Sequence, residues 1–135
     1  MLTVKTKIGE SKINGIGLLA DEKIPKGTIT WRFNPKFDIL FDPAEVSKMP
    51  QLQKELVEHF AYLSNKTDKY VYSIDNSRFT NHSANPNIDN TTILEDDTEV
   101  CGIAKKDIEI GEEMTIDYRL VDISDAKSAE AYLNS

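Results

Sequence analysis

The stretch "RFTNHSANPN", residues 78–87, decides how this chain folds. It contains three asparagines, one of the chain's two histidines and a proline, and it follows the apolar run "YVYSID". Asparagine and histidine are costly to bury without hydrogen-bond partners, so packing beside that run requires many specific hydrogen bonds. Taken alone, the segment can also be a turn-rich loop in which asparagine side chains mimic backbone and Pro86 stiffens the path.

The composition of the chain indicates one folded domain. Its 135 residues, which we treat as a single domain spanning residues 1–135, include 39% hydrophobic and 29% charged side chains. Both values are typical of a globular protein. The formal net charge of −7 disfavours nonspecific attraction to nucleic acid and favours a basic partner. We therefore expect no direct nucleic-acid binding.

The sequence also limits location and metal binding. The first fifteen residues lack the continuous apolar segment of a signal peptide, and no later run reaches the length of a membrane span. We expect an intracellular, cytoplasmic protein without membrane contact, or a nuclear one if it acts in a eukaryotic cell. Cys101 is the only cysteine, so neither an intrachain disulfide nor a cysteine-based zinc site can form. We expect no bound metal.

Short strands separated by turns dominate the predicted secondary structure, which makes the fold α+β and mostly β. The strand candidates are "TVKTKI", "GIGLLA", "TITWRF", "KYVYSI", "TTIL" and "TEVCGIA". The last two flank an acidic turn, residues 95–97, and are predicted to form a β-hairpin. The chain should therefore form several small sheets.

A helical insert is predicted at about residues 38–69. Asp42 is a good N-cap with Pro43 at the first helical position. The apolar residues Leu52, Leu56, Phe60 and Leu63 then recur at intervals of three or four and predict a core-facing stripe.

The C-terminal flank, about residues 119–135, is predicted to contain a short alanine-rich helix. Ser124 is the candidate N-cap of this helix.

Two segments of the chain echo each other. "ADEKIPKGTIT" begins at Ala20 and "AKKDIEIGEEMT" at Ala104, and each has an isoleucine four residues on and a glycine seven residues on. Each segment reads as a strand end, a glycine turn and a new strand. The two corners predict a compact sheet that folds back on itself.

Three polar motifs are ambiguous singly and informative in their order. "NGIG" at residues 14–17 is followed by "RFTNHSANPN" and then by "GEEMTIDY" at residues 111–118. This order resembles the SET domain of protein lysine methyltransferases. The resemblance implies a β-clip-like fold of small sheets, in which the Asn-His segment passes through a pseudoknot-like crossing under the C-terminal part of the domain.

The resemblance also implies a cofactor and the residues that bind it. The cofactor is S-adenosylmethionine, which is assigned to the backbone of Gly15, Ile16 and Gly17 and to Asn81 and His82.

Tyr118 becomes the catalytic tyrosine by the same resemblance. Other motif residues shape the crossing or fix the final strand: Arg78, Phe79, Pro86, Asn87, Glu112, Glu113 and Asp117.

Tyr70, Tyr72 and Tyr132 are the candidates for lining the substrate lysine channel, with core packing as the alternative for Tyr70 and Tyr72.

The chain departs from the family pattern in three places. Ala84 replaces a cysteine that is frequent in the Asn-His motif, and this small apolar substitute should pack without difficulty. Arg32 and Phe33 stand where Glu-Tyr is frequent, which changes how a substrate strand is held. The cysteine-rich zinc flank is absent, so the tail "SDAKSAEAYLNS" is the candidate for closing the lysine channel.

These observations lead to one principal function and two alternatives. The principal function is S-adenosylmethionine-dependent methyl transfer to a lysine ε-amine of a basic protein, such as a histone-like or ribosomal protein. The first alternative is a catalytically silent SET-like domain that binds a basic peptide or protein. The second is a purely structural β-rich protein. A homodimer is compatible with each of them.

Overall fold

The structure is a computed structural model that describes residues 1–127 and 131–135. Within these residues, ten short strands form four small sheets and alternate with short helices. The predicted mostly-β α+β architecture is confirmed. No helix in the described part of the chain is long and apolar enough to cross a membrane.

The strands pair mainly with neighbours that are distant in sequence. The first sheet is an antiparallel hairpin of β1 (Thr6–Glu10) and β2 (Ile16–Ala20). The second has the order β3 (Ile29–Trp31), β9 (Gly102–Ala104), β8 (Ile88–Asp89). The third has the order β4 (Asp38–Phe41), β6 (Tyr70–Ser73), β5 (Tyr62–Leu63). In the fourth, β7 (Asn81–His82) pairs in parallel with β10 (Thr115–Ile116).

The described residues contain three α-helices, in the insert and the C-terminal flank. They are α1 (Pro43–Ser47), α2 (Gln51–Phe60) and α3 (Ile123–Lys127). Short 3-10 helices span Asn76–Phe79, Tyr118–Leu120 and Ala131–Asn134.

The cap predicted for the insert is confirmed, and the one predicted for the C-terminal flank is wrong. The Asp42 carboxylate accepts a hydrogen bond from the Ala44 backbone N–H at 3.2 Å at the start of α1. At α3 it is Asp122 that accepts from the N–H groups of Ser124 and Asp125, at 2.7 and 3.2 Å. A carboxylate is favoured there because it also interacts with the positive end of the helix dipole.

The apolar stripe predicted for the insert is wrong at its first two residues, Leu52 and Leu56, whereas Phe60 and Leu63 are half-buried. Leu52 is 80% exposed and Leu56 is 50% exposed, whereas Val57 is buried at 4%. Helix α2 therefore contacts the core along a line through Val57 and the half-buried Phe60. Spacing identifies residues that share a helix face, but the strands packed beside the helix decide which face is covered.

The sequence echo corresponds to two corners that pair with each other. The backbone N–H and C=O groups of Ile24 and Ile108 exchange two hydrogen bonds of 2.9 and 2.8 Å. On either side, the Gly27 N–H donates to Ala104 and the Gly111 N–H donates to Ala20. Both glycines have positive φ values, +87° and +83°, which a β-carbon would disfavour.

These corners lie in the main hydrophobic cluster. Its buried members come from both echoing segments and from the strands beside them: Leu18, Ala20, Ile24, Ile88, Ala104, Ile108 and Met114.

The predicted hairpin is present, with its first strand displaced. The regular strand is β8 rather than "TTIL", which contributes only an isolated antiparallel bridge between Ile93 and Val100. The Cys101 N–H donates to the Thr92 carbonyl at 2.9 Å and keeps the two arms together.

Candidate functional site

The Asn-rich segment crosses the "GEEMTIDY" segment and is fixed to it by Asn87. The Asn87 side-chain oxygen accepts from the Thr115 N–H at 2.8 Å, and its side-chain N–H₂ donates to the Glu113 carbonyl at 2.8 Å. Asn87 is 5% exposed, so both ends of its amide are satisfied inside the protein. The polar composition of this segment therefore has a structural reason.

Asn81 lies where the crossing meets the first hairpin. Its side-chain nitrogen is within 3.0 to 3.2 Å of four acceptors: Ser11 Oγ, the carbonyls of Asn14 and Ile16, and Glu113 Oε2. An amide nitrogen has only two protons, so it cannot satisfy four acceptors at once. The cluster has spare capacity for a ligand that carries several N–H donors.

Glu113 is the charged member of this acceptor cluster. Its carboxylate accepts from the Ser11 hydroxyl at 2.8 Å and from Asn81, and no lysine or arginine of the described residues pairs with it. A carboxylate that receives only neutral donors attracts a cation. Sequence reasoning assigned Glu113 only to the final strand and missed Ser11, which lies in an ordinary turn.

Two glycines shape the backbone beside the cluster. Gly15 has a φ of +52° and its carbonyl accepts from the Ser11 N–H at 2.8 Å, which closes the turn. A β-carbon on Gly17 would lie 2.6 Å from Glu113 Oε2. Gly17 is therefore required for the close approach of the carboxylate, and Gly15 for the turn.

The donors and acceptors of this cluster fit the amino-acid end of S-adenosylmethionine. That end carries an α-ammonium group with three N–H donors, and the cluster offers a carboxylate, a hydroxyl and two carbonyls. The residues predicted to bind the cofactor, Gly15, Ile16, Gly17 and Asn81, are thus brought together.

His82 connects the crossing to the catalytic candidate. Its Nδ1 accepts a hydrogen bond from the Tyr118 backbone N–H at 3.0 Å. A backbone amide can only donate, so the ring proton is on Nε2, which lies 2.9 Å from the Leu133 carbonyl oxygen. His82 is 6% exposed and its ring packs against that of Tyr118, with centroids 5.2 Å apart.

Tyr118 begins a 3-10 helix that is separated from the final strand, β10, by Asp117. Its hydroxyl donates to the Thr80 carbonyl at 2.6 Å. Burial, helped by the negative charges of Asp125 and Glu113, raises the pKa of Tyr118 to about 12. The hydroxyl is therefore protonated at neutral pH and acts as a hydrogen-bond donor and not as a base.

Asp117 fixes the backbone from which Tyr118 projects. It accepts from the Arg119 N–H at 3.0 Å and forms two hydrogen bonds of 2.9 and 2.7 Å with the Arg119 guanidinium. These bonds to Arg119 lower the pKa of Asp117, which keeps its carboxylate ionised. The turn that carries Tyr118 is thereby held in one conformation.

A chamber of about 520 Å³ opens beside Tyr118, and we call it the outer chamber. Its walls include the aromatic rings of Phe60, Tyr62 and Tyr70, together with Thr80 and Tyr118. Three carboxylates also line it, Glu58, Asp122 and Asp125, together with Arg78, whose guanidinium stacks on the Phe60 ring at 5.3 Å. Aromatic walls with surrounding carboxylates suit a side chain that is apolar along its length and cationic at its end.

The candidate channel tyrosines have different positions. Tyr70 lines the outer chamber, whereas the Tyr72 hydroxyl accepts a hydrogen bond from Arg78 at 3.3 Å and Tyr72 is absent from the chamber wall. The side chain of Tyr132 lies outside what the structure describes. Tyr62 lines the chamber and was missed, because a two-residue strand after a helix leaves too short a pattern to interpret.

The predicted cofactor residues do not line the outer chamber. They connect to it through Thr80, which precedes Asn81, and through Tyr118, which is hydrogen-bonded to His82. The candidate site therefore has two parts, an acceptor cluster at the first hairpin and an aromatic chamber, joined at Tyr118.

The residues that depart from the family pattern make defined contacts in the structure. Arg32 pairs with Asp97 of the acidic turn at 2.9 Å. The Ala84 N–H donates to the Ser135 carbonyl at 2.7 Å, so the end of the chain lies against the crossing. Ser124 and Asp125 of the C-terminal flank contribute to the chamber wall.

The sequence profile of the SET domain matches residues 15–119. The chain therefore belongs to the SET-domain family. The sequence has no significant match among the curated proteins compared with it.

Solved structures support the same fold. One is a chain of a humanized mutant of the Chaetomium thermophilum Polycomb Repressive Complex 2 bound to the inhibitor GSK126, with a TM-score of 0.64 and 22% identity. The match covers 92% of this chain and only 16% of that one. Another is a candidate histone methyltransferase of Plasmodium falciparum, with a TM-score of 0.55, 19% identity, and coverage of 85% and 93% of the two chains.

Proposed function

We propose that this protein transfers a methyl group from S-adenosylmethionine to the ε-amine of a lysine in a protein substrate. The observation that carries the proposal is the position of Tyr118. Its hydroxyl is held by the Thr80 carbonyl in the wall of an aromatic chamber, and its backbone is joined to the crossing through His82. Family membership supports the same reaction class.

The acceptor cluster is the proposed holder of the cofactor's amino-acid end. Glu113, Ser11 and the carbonyls of Asn14 and Ile16 would accept from its α-ammonium group, and Asn81 would orient them. When bound, S-adenosylmethionine supplies an electrophilic methyl group on a positively charged sulfur. The chain's part is to hold the α-ammonium group beside the Glu113 carboxylate and to exclude water from the chamber.

The substrate lysine must reach the site without its proton. An unperturbed lysine has a pKa of ~10.4, so only about one molecule in a few thousand is neutral at pH 7. This population deficit corresponds to roughly 4–5 kcal/mol. The rings of Phe60, Tyr62 and Tyr70 would desolvate a bound side chain, which lowers a lysine pKa, whereas the carboxylates of the chamber raise it. No dedicated base is required if desolvation outweighs the carboxylates.

Tyr118 is proposed to orient the reacting amine. Because its hydroxyl is neutral and fixed at 2.6 Å from Thr80, its free lone pairs can accept from the amine without introducing a charge. Alignment of reacting groups contributes several kcal/mol to catalysis. The chain supplies this alignment through packing of the Tyr118 ring against His82.

A basic protein is the proposed substrate class, with histone-like and ribosomal proteins as candidates. Support comes from the carboxylates Glu58, Asp122 and Asp125 at the chamber and from the net charge of −7. Such charges accelerate encounter with a cationic partner and make it sensitive to salt. The protein would meet such a substrate, and S-adenosylmethionine, inside the cell.

The test is incubation of the purified protein with methyl-labelled S-adenosylmethionine and a panel of basic proteins. We expect label in lysine of at least one substrate, and labelling that is slower by about a hundredfold or more with Tyr118→Phe. Binding of S-adenosylmethionine and of a basic protein without any transfer would instead support the catalytically silent domain. If the protein does not bind S-adenosylmethionine, both the methyltransferase and the catalytically silent domain are excluded, and a structural role remains.

A further inference from the structure

Arg78 is the only lysine or arginine among the described residues that line the outer chamber. Its guanidinium carbon lies 5.3 Å from the centre of the Phe60 ring and 5.0 Å from the centre of the Phe79 ring. The centres of these two rings are 5.6 Å apart, and their planes meet at 76°. Contact with two aromatic rings restricts where the guanidinium can lie, and stacking does not use its N–H donors.

Most hydrogen-bond donors of Arg78 are not used by the protein. Arg32 and Arg119 are each paired with an aspartate, whereas Arg78 forms no ion pair with the described residues. Its hydrogen bond to the Tyr72 hydroxyl, at 3.3 Å, is longer than a typical N–H···O bond. Because a guanidinium has five N–H groups, several of them are available to a ligand at the chamber.

We propose that Arg78 binds a carboxylate of the substrate protein, on an aspartate or glutamate within about three residues of the target lysine. The inference rests on the proposed function and adds a substrate preference to it. The planar fork of a guanidinium matches the two oxygens of a carboxylate. Arg78 and Tyr118 line the same chamber, so the carboxylate and the lysine must be close in the substrate chain. Three residues of extended chain span roughly 10 Å.

The other charges of the chamber make this preference depend on position. Glu58, Asp122 and Asp125 would repel a substrate carboxylate placed beside them, and they favour the lysine and its basic neighbours. Arg78 favours an acidic residue at one position and disfavours a basic residue there. The chamber therefore selects among basic sequences through repulsion as well as attraction.

Matched peptides measure the preference. Each is a basic peptide with one lysine and with acetylated and amidated ends, so that a carboxylate can lie only on a side chain. In six peptides a glutamate occupies one of the three positions before or after the lysine, and six counterparts have glutamine there. We expect a glutamate peptide to bind and to be methylated about fivefold better than its counterpart at one of these positions. NMR titration in the presence of S-adenosylhomocysteine measures Kd, and initial rates with labelled S-adenosylmethionine measure kcat/KM.

Two variants assign the preference to Arg78. Arg78→Gln removes the charge and the fork, so the ratio between the matched peptides should fall to about one. Lys26→Gln removes an equal charge from an exposed residue outside the chamber wall and should leave the ratio unchanged. The ratio compares two peptides on the same variant, so a general loss of stability does not alter it. A wild-type ratio near one at all six positions, a ratio that persists in Arg78→Gln, or an equal fall in Lys26→Gln would overturn the proposal.

Binding and transfer distinguish this inference from the proposed function. Preferential binding of a glutamate peptide, with no methyl transfer to any peptide, would contradict the proposed function and support recognition by Arg78. Equal transfer to glutamate and glutamine peptides would support the proposed function and overturn the preference. Failure of all six glutamate peptides to bind would overturn the preference as well.

Discussion

The Tyr118 hydroxyl donates a 2.6 Å hydrogen bond to the backbone carbonyl of Thr80, the residue immediately before Asn81. This bond joins the end of the "GEEMTIDY" segment to the beginning of the Asn-His segment. It also fixes the hydroxyl in the wall of the outer chamber. The same hydrogen bond therefore stabilises the crossing of the chain and fixes the position of Tyr118.

Tyr118 should make stability sensitive to alkaline pH. Its pKa is raised from about 10 in an unfolded chain to about 12, so the folded state retains a proton that the unfolded state loses. The contribution is complete below pH ~10 and declines as pH rises towards 12, by ~1.4 kcal/mol per unit. Urea unfolding of wild type and Tyr118→Phe at pH 9 and 11 should show the steeper decline in wild type. Parallel declines would contradict the raised pKa.

Glu113 should recognise the cofactor through its α-ammonium group. Glu113→Gln keeps the shape and removes the charge, so binding of S-adenosylhomocysteine should weaken about tenfold or more. Binding of 5′-methylthioadenosine, which lacks the amino-acid end, should change little. Calorimetry with both ligands checks the prediction, and an equal loss for the two would place Glu113 outside the ammonium site.

Gly15 and Gly17 should respond differently to alanine. Gly15→Ala places a β-carbon at a φ of +52° in open space, which should cost about 1 kcal/mol of stability with little loss of cofactor affinity. Gly17→Ala brings a β-carbon to 2.6 Å from Glu113 Oε2 and must displace the carboxylate. Its main effect should be on cofactor affinity. Thermal unfolding measures the stability of both variants, and calorimetry measures their cofactor affinity. A larger loss of affinity in Gly15→Ala than in Gly17→Ala would contradict the prediction.

The order of the motifs was sufficient to predict the fold, for a physical reason. Asn81, Asn87 and Glu113 must satisfy one another across the crossing, which restricts both residue type and spacing. The echo was informative for a related reason, because Ile24 and Ile108 pair directly through their backbones. In these two cases the contacts restrict which residue types can stand at both positions.

Other features could not be predicted, because they depend on what lies beside a segment. The periodic leucines of α2 identified a shared face without revealing that no strand covers it. Ser11 and Tyr62 acquire their roles only from partners distant in the chain, Glu113 and the outer chamber.

Two substitutions in helix α2 test which of its faces is buried. Val57→Ala removes two buried carbon atoms from the core and should cost about 2 kcal/mol. Leu52→Ala, a larger truncation at a site 80% exposed, should change the free energy of unfolding by less than ~0.5 kcal/mol. Urea unfolding of both variants measures the difference. A larger loss of unfolding free energy for Leu52→Ala than for Val57→Ala would show that Leu52 faces the core after all.

The central claim is that Tyr118 serves lysine methylation, and single-turnover methyl transfer by Tyr118→Phe tests it most directly. The account predicts a fall in rate of about a hundredfold or more, with cofactor affinity preserved, because one placed polar group is lost from the transition state. Tyr72→Phe removes the same atom from a tyrosine outside the chamber wall and should retain a near-normal rate. A near-normal rate in Tyr118→Phe, with cofactor bound, would contradict the account.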